Sequence, residues 1–141
     1  VKLGDARLSL EAEPPQNFDL LVLDAFSGDA IPAHLLTKEA FEIYQRHLRP
    51  NAVVAVHISN RYLDLSPVVA GLASQFGYDL QRIHTQGAAE LGQFPADWIV
   101  LSRPTPGSIE EVKTADRVLP AAPEREILWT DDFSNLFEIL K

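Results

Sequence analysis

The run Phe18 to His34, FDLLVLDAFSGDAIPAH, constrains the fold more than any other part of this sequence. Its apolar centre, Leu20-Leu21-Val22-Leu23, predicts a buried β-strand. The strand breaks at Asp24 into a loop that holds Ser27, Gly28, a second acid, Asp29, and then Pro32. Open α/β sheets bind ligands beyond the carboxyl ends of their strands, so an acid at such a point marks a candidate site. Turn chemistry also favours Asp at strand ends. Two acids around one glycine-containing loop make the pair worth following as chemistry.

The flanking segments extend the α/β pattern. Asp5 stands where an N-cap acid would, after a short strand and a Gly4-Asp5 turn, with a helix starting at Ala6. Thr37 caps a helix predicted over Lys38 to Leu48, with Phe41, Tyr44 and Leu48 on one face. Glu42 and Arg46 are spaced as an ion pair on its outer face. Pro50-Asn51 reads as a turn, and Ala52 to Ile58, AVVAVHI, as a strand buried on both faces, which favours a parallel sheet. Ser66 and Pro67 read as the cap and first turn of a helix through Val68, Val69, Leu72, Ala73 and Phe76. Gly77 supplies its left-handed end. Tyr78 to Thr85 and Trp98 to Ser102 read as two more strands. Pro104 to Pro123 reads as an exposed connection with a short helix at Ser108 to Lys113. Thr130 or Asp131 caps a last helix, with Phe133, Leu136, Phe137 and Leu140 on one face. The whole, residues 1–141, is one α/β domain, about half of a doubly wound sheet.

Charge and residue usage narrow the chemistry. The net charge of −8 argues against a nucleic-acid surface, which needs clustered Lys and Arg, and leaves room for a cationic substrate. With no cysteine there is no thiolate nucleophile, disulfide or Cys-bound zinc, and this usage is compatible with the cytoplasm. The four histidines show no metal-binding spacing. His57, inside an apolar strand, reads as a satisfied core histidine, and His34 as a helix-start residue. Ser27 lacks the G-x-S-x-G context of a hydrolase. Asn60, Tyr62 and Asp64 follow a strand and lie at the same sheet edge as Asp24, so they are candidates to line a substrate cleft. Asp131-Asp132 reads as a helix N-terminus, and Trp98 and Trp129 as core. No apolar run is long enough to span a bilayer. The chain opens on Val1 and contains no methionine, which points to a segment of a longer protein.

Taken in order, GDARLSLE, then NFDLLVLDAFSGDAIPAHLLTKEAFEIYQRHLRPNAVVAVHISN, then ILWTDDFSNLFEIL resemble the second half of the spermidine synthase family. They are most similar to bacterial spermidine synthase-like proteins, some of which are fused to membrane transporter segments. The resemblance implies the Rossmann-like fold of S-adenosylmethionine-dependent methyltransferases, its carboxyl-terminal portion, and a cytoplasmic homodimer. It implies transfer of an aminopropyl group from decarboxylated S-adenosylmethionine to putrescine, with no metal. By the same resemblance Asp5 and Ala6 contact the adenine, and Asp24 is the acid that deprotonates the attacking amine. Asp29 stands in for a second acid that anchors the amine; Tyr62 and Asp64 are substrate-side candidates by their position alone. A carboxylate suits both tasks, since it attracts an ammonium group and accepts its proton.

The sequence also departs from the family. The glycine-rich turn that cradles the nucleoside, and the acid that holds the ribose, have no counterpart here. The loop after Asp24 carries Ser27 where the second acid is expected. Around Ala89 to Ala96 there is Phe94 and no tyrosine. These departures imply that the chain alone is inactive. They leave two other readings, a methyltransferase of the same fold using S-adenosylmethionine, and a non-catalytic module with an assembly or regulatory role.

Overall fold

The computed structural model of the protein describes residues 1–25, 32–104, 117–119, 123 and 125–141. Its elements run α1 (Ala6–Ala12), β1 (Phe18–Leu23), α2 (Lys38–His47), β2 (Leu48–His57), α3 (Ser66–Phe76), β3 (Asp79–Thr85), β4 (Ala96–Ser102) and β5 (Arg117–Leu119). Short 3₁₀ turns lie at Ala33–Leu35, Ala89–Leu91 and Leu136–Ile139. The five strands form one sheet in the order β1-β2-β4-β3-β5. β1 and β2 are parallel, joined through α2, whereas β4 runs antiparallel to both β2 and β3.

The local signals act as expected at several ends. Thr37 Oγ1 accepts the amide of Ala40 at 3.2 Å and starts α2. Gly77, at φ 67° and ψ 46°, ends α3 in the left-handed conformation that glycine adopts at little cost. Asp5 caps α1 by accepting the Leu8 amide at 2.9 Å.

Both α2 and α3 pack on one face of the sheet, with the Phe41 and Phe76 rings 5.8 Å apart. Val54, Val56, Ile99 and Leu101 meet them there without solvent exposure. Trp129 is fully buried in the same core, and its carbonyl accepts the Lys38 amide at 2.8 Å. The opposite face carries no α-helix among the described residues. Alternation along β2 and β4 turns His57 and Trp98 to that face, half-buried and paired in register.

Several expectations are corrected. β1 is not buried on both faces: Leu20 and Val22 are 55% and 49% exposed, because they lie on the sheet face that carries no α-helix among the described residues. Likewise β2 buries only alternate residues. Pro50-Asn51 is no turn but part of β2. There Phe18 pairs with Leu48 and Leu20 with Val53, so β2 carries extra residues that accommodate a proline without a ladder amide. The ion pair on α2 joins Glu42 to Lys38, at 3.6 Å, instead of Arg46. Residues 117–119, inside the expected connection, form β5 against β3. The last helix shrinks to the 3₁₀ turn, with Ile139 buried and Phe133, Leu136, Phe137 and Leu140 exposed. The helix expected at 108–113 lies outside the described residues.

Candidate functional site

Sheet register builds the site. Leu23 pairs with Val56, so the next residues, Asp24 and His57, emerge side by side at the carboxyl ends of two parallel strands. Asp24 Oδ1 and His57 Nδ1 are 2.7 Å apart. The Asp24 side chain is 55% exposed and that of His57 only 20%, so the carboxylate faces solvent while the imidazole is held from behind. Two contacts hold it. The ring stacks on Trp98 with centroids 4.8 Å apart and planes 24° apart. Its Nε2 lies 2.7 Å from Ser59 Oγ.

Asp24, His57 and Ser59 thus stand in the linear order of a hydrolase triad. The serine, however, is engaged in holding strands together. Ser59 Oγ accepts the Asp97 amide at 2.7 Å, beside the bond from the Ile58 amide to the Asp97 carbonyl at 2.8 Å. Asp97 in turn binds His84 Nδ1 through Oδ1 at 3.0 Å. Ser59 therefore pins β2 to β4 and anchors His57.

The adenine candidates lie elsewhere in the fold. Both Asp5 oxygens are partnered, Oδ1 by the Leu8 amide and Oδ2 by His34 Nε2 at 2.8 Å. The amide and the histidine hold the Asp5 carboxyl below its ordinary range, so it stays ionised at neutral pH. Ala6 is exposed at the first position of α1. Next to them Arg7 grips Asp131, Nη1 to Oδ1 at 2.6 Å, and Asp131 also accepts the Thr37 hydroxyl at 2.8 Å. Asp131 is therefore a tie between α1, α2 and the C-terminal segment. It does not start the last helix.

Of the expected cleft residues, Asn60 Oδ1 accepts the amides of Tyr62 and Leu63, both at 2.9 Å. Asp64 Oδ1 accepts the Ser66 amide at 3.0 Å. Tyr62 is exposed, with the Arg61 guanidinium over its ring at 5.6 Å. Asp29 and Ser27 lie outside the described residues. Among the described residues no three His, Asp or Glu side chains stand together as a metal site. No described helix is long and apolar enough to cross a membrane.

The sequence reading missed His57 and Ser59. The rule that singled out Asp24, an acid at a strand's carboxyl end, applies equally to the His-Ile-Ser that ends β2. His57 is no core histidine, because it lies on the sheet face that carries no α-helix among the described residues, where the register sets it beside Asp24.

Comparison with known proteins places the fold. A probable spermidine synthase from Corynebacterium glutamicum ATCC 13032 superposes with a TM-score of 0.53 at 24% identity. The match covers 74% of this chain and 37% of that one. The chain shares the fold of that protein. The α/β, methyltransferase-like fold expected from the sequence is thus the fold found, and the chain spans little more than a third of the length of the protein it matches. No protein-family model and no curated protein matches the chain.

Proposed function

We propose that the chain is the acid-bearing part of a spermidine synthase-like transferase that moves an aminopropyl group from decarboxylated S-adenosylmethionine to putrescine. The observation that carries this reading is the half-exposed Asp24 carboxylate at the carboxyl end of β1, held by His57 from the adjacent parallel strand. The shared fold with a probable spermidine synthase supports it.

In the proposed reaction, a terminal ammonium of putrescine docks against Asp24 and gives up a proton to it. The freed amine lone pair attacks the methylene carbon bonded to the sulfonium. That carbon–sulfur bond breaks, its electrons return to sulfur, and methylthioadenosine leaves. Asp24 supplies both the attraction and the base, which is why a carboxylate suits the position better than an amide. Asp5 and Ala6 are the adenine contacts of the proposal. The ionised Asp5 oxygens keep lone pairs free for an exocyclic amine beside their present partners. Asp29 is the amine anchor, Tyr62 and Asp64 are on the substrate side, and a cytoplasmic homodimer is the proposed setting.

Asp24→Asn in the intact transferase tests the assignment. The amide keeps shape and a hydrogen bond but cannot take the proton. Transfer is expected to fall at least about 100-fold, the usual contribution of a general base, with methylthioadenosine binding retained. Wild-type turnover by Asp24→Asn removes Asp24 from the chemistry.

A further inference from the structure

We propose that His57 is a positioning residue for Asp24, its Nδ1–H fixing one carboxylate oxygen and leaving the other for an ammonium group. The inference rests on the aminopropyl-transfer reading for its substrate, and on geometry alone for the polarity of the hydrogen bonds.

The polarity at Asp24 follows from what each partner can donate. An ionised carboxylate oxygen can only accept, so at the 2.7 Å contact with Asp24 Oδ1 the proton sits on His57 Nδ1. On the other side of the ring Ser59 Oγ, which accepts the Asp97 amide at 2.7 Å, keeps a hydrogen and a second lone pair, so it meets Nε2 at 2.7 Å as donor or as acceptor. The reverse arrangement of a neutral ring would set a bare nitrogen lone pair against a carboxylate lone pair at that distance. Stacking on Trp98 removes rotation of the ring plane, so the imidazole has one orientation to offer. Among the described residues Asp24 Oδ2 has no protein partner, while Oδ1 is held.

Two consequences distinguish this from a packing role. An N–H held on one carboxylate oxygen leaves the lone pairs of the other for an ammonium group. A fixed carboxylate also presents its free oxygen without the entropic cost of ordering it at each turnover.

The test separates the hydrogen bond from the stack. His57→Phe keeps an aromatic face for Trp98 and removes the donor. His57→Asn loses the stack but puts an amide N–H where Nδ1 was. In the intact transferase we expect kcat for aminopropyl transfer to fall about 10- to 100-fold in His57→Phe, the worth of a hydrogen bond to a charged group. The KM for decarboxylated S-adenosylmethionine stays unchanged, and His57→Asn recovers most of kcat. The opposite order, with Phe active and Asn impaired, overturns the proposal. The protonated nitrogen is read independently by ¹⁵N–¹H correlation on protein labelled in histidine, with the His57 signal assigned from its loss in His57→Phe. A protonated Nδ1 supports the proposal, and a bare Nδ1 overturns it. If the Nδ1–H form is found while wild-type protein transfers no aminopropyl group, the functional reading fails and the positioning of Asp24 by His57 stands.

Discussion

Gly71 sits in the middle of α3, where glycine costs helix stability, and the structure says why it is there. A Cβ built on Gly71 would overlap the Ile127 carbonyl, with its carbon only 2.6 Å away. The obstacle is backbone, and it is tethered. The Ile127 amide binds the Pro67 carbonyl at 2.9 Å, and two residues on, the Trp129 carbonyl accepts the Lys38 amide. Ile127 and Trp129 are both buried. In Gly71→Ala the extended segment must therefore shift away from α3. Overpacking of this kind costs about 1–3 kcal/mol, and weakening the Ile127–Pro67 bond adds about 1 kcal/mol. Better helix propensity returns about 1 kcal/mol. The net expectation is a loss of about 1–3 kcal/mol, read from equilibrium urea unfolding of wild type and variant. The sign is decisive. If Gly71→Ala is as stable as wild type or more so, propensity alone is at work, and the close approach of residues 125–129 to α3 is refuted.

Two further outcomes follow from the same framework. Trp129→Ala empties the largest fully buried side chain and is expected to cost about 3–5 kcal/mol in urea unfolding; a loss below about 1 kcal/mol would mean that the C-terminal segment does not close the core. The Arg7 guanidinium, with help from Thr37, holds the Asp131 carboxyl below its ordinary 3.8. Its contribution is therefore complete above that value and is lost as pH falls through the lowered one. Asp131→Asn should accordingly cost up to about 1 kcal/mol near neutrality, because the pair is half-exposed, and the gap to wild type should close in acid. A gap that widens in acid contradicts the Arg7–Asp131 tie.

How far the sequence carried depends on which forces are local. Thr37, Gly77 and the apolar spacing of Phe41 and Tyr44 act within a turn or two, and they mark α2 and α3 nearly to the residue. The apolar runs at 20–23 and 52–58 mark strands but not their neighbours. The exposure of Leu20 and Val22 is decided by which sheet face the helices cover, a property of the whole fold. β5 has only three residues and exists through its pairing with β3, so no pattern of its own announces it. Phe133, Leu136, Phe137 and Leu140 satisfy helical spacing, yet the segment settles as a 3₁₀ turn that buries Ile139 instead. Asp24 was legible because a strand-end acid is a local sign. Its partner was not, because His57 lies 33 residues away and reaches it only through the register that sets Leu23 against Val56. The same holds for Asp131, which meets Arg7 across 124 residues.

The most direct test of the functional account is incubation of the intact transferase, of which the chain is proposed to be the acid-bearing part, with decarboxylated S-adenosylmethionine and putrescine, followed by mass spectrometry of the products. The account predicts spermidine and methylthioadenosine in equal amounts, both lost in Asp24→Asn. Absence of both products from wild-type protein that binds methylthioadenosine, or consumption of S-adenosylmethionine with methyl transfer instead, would contradict it.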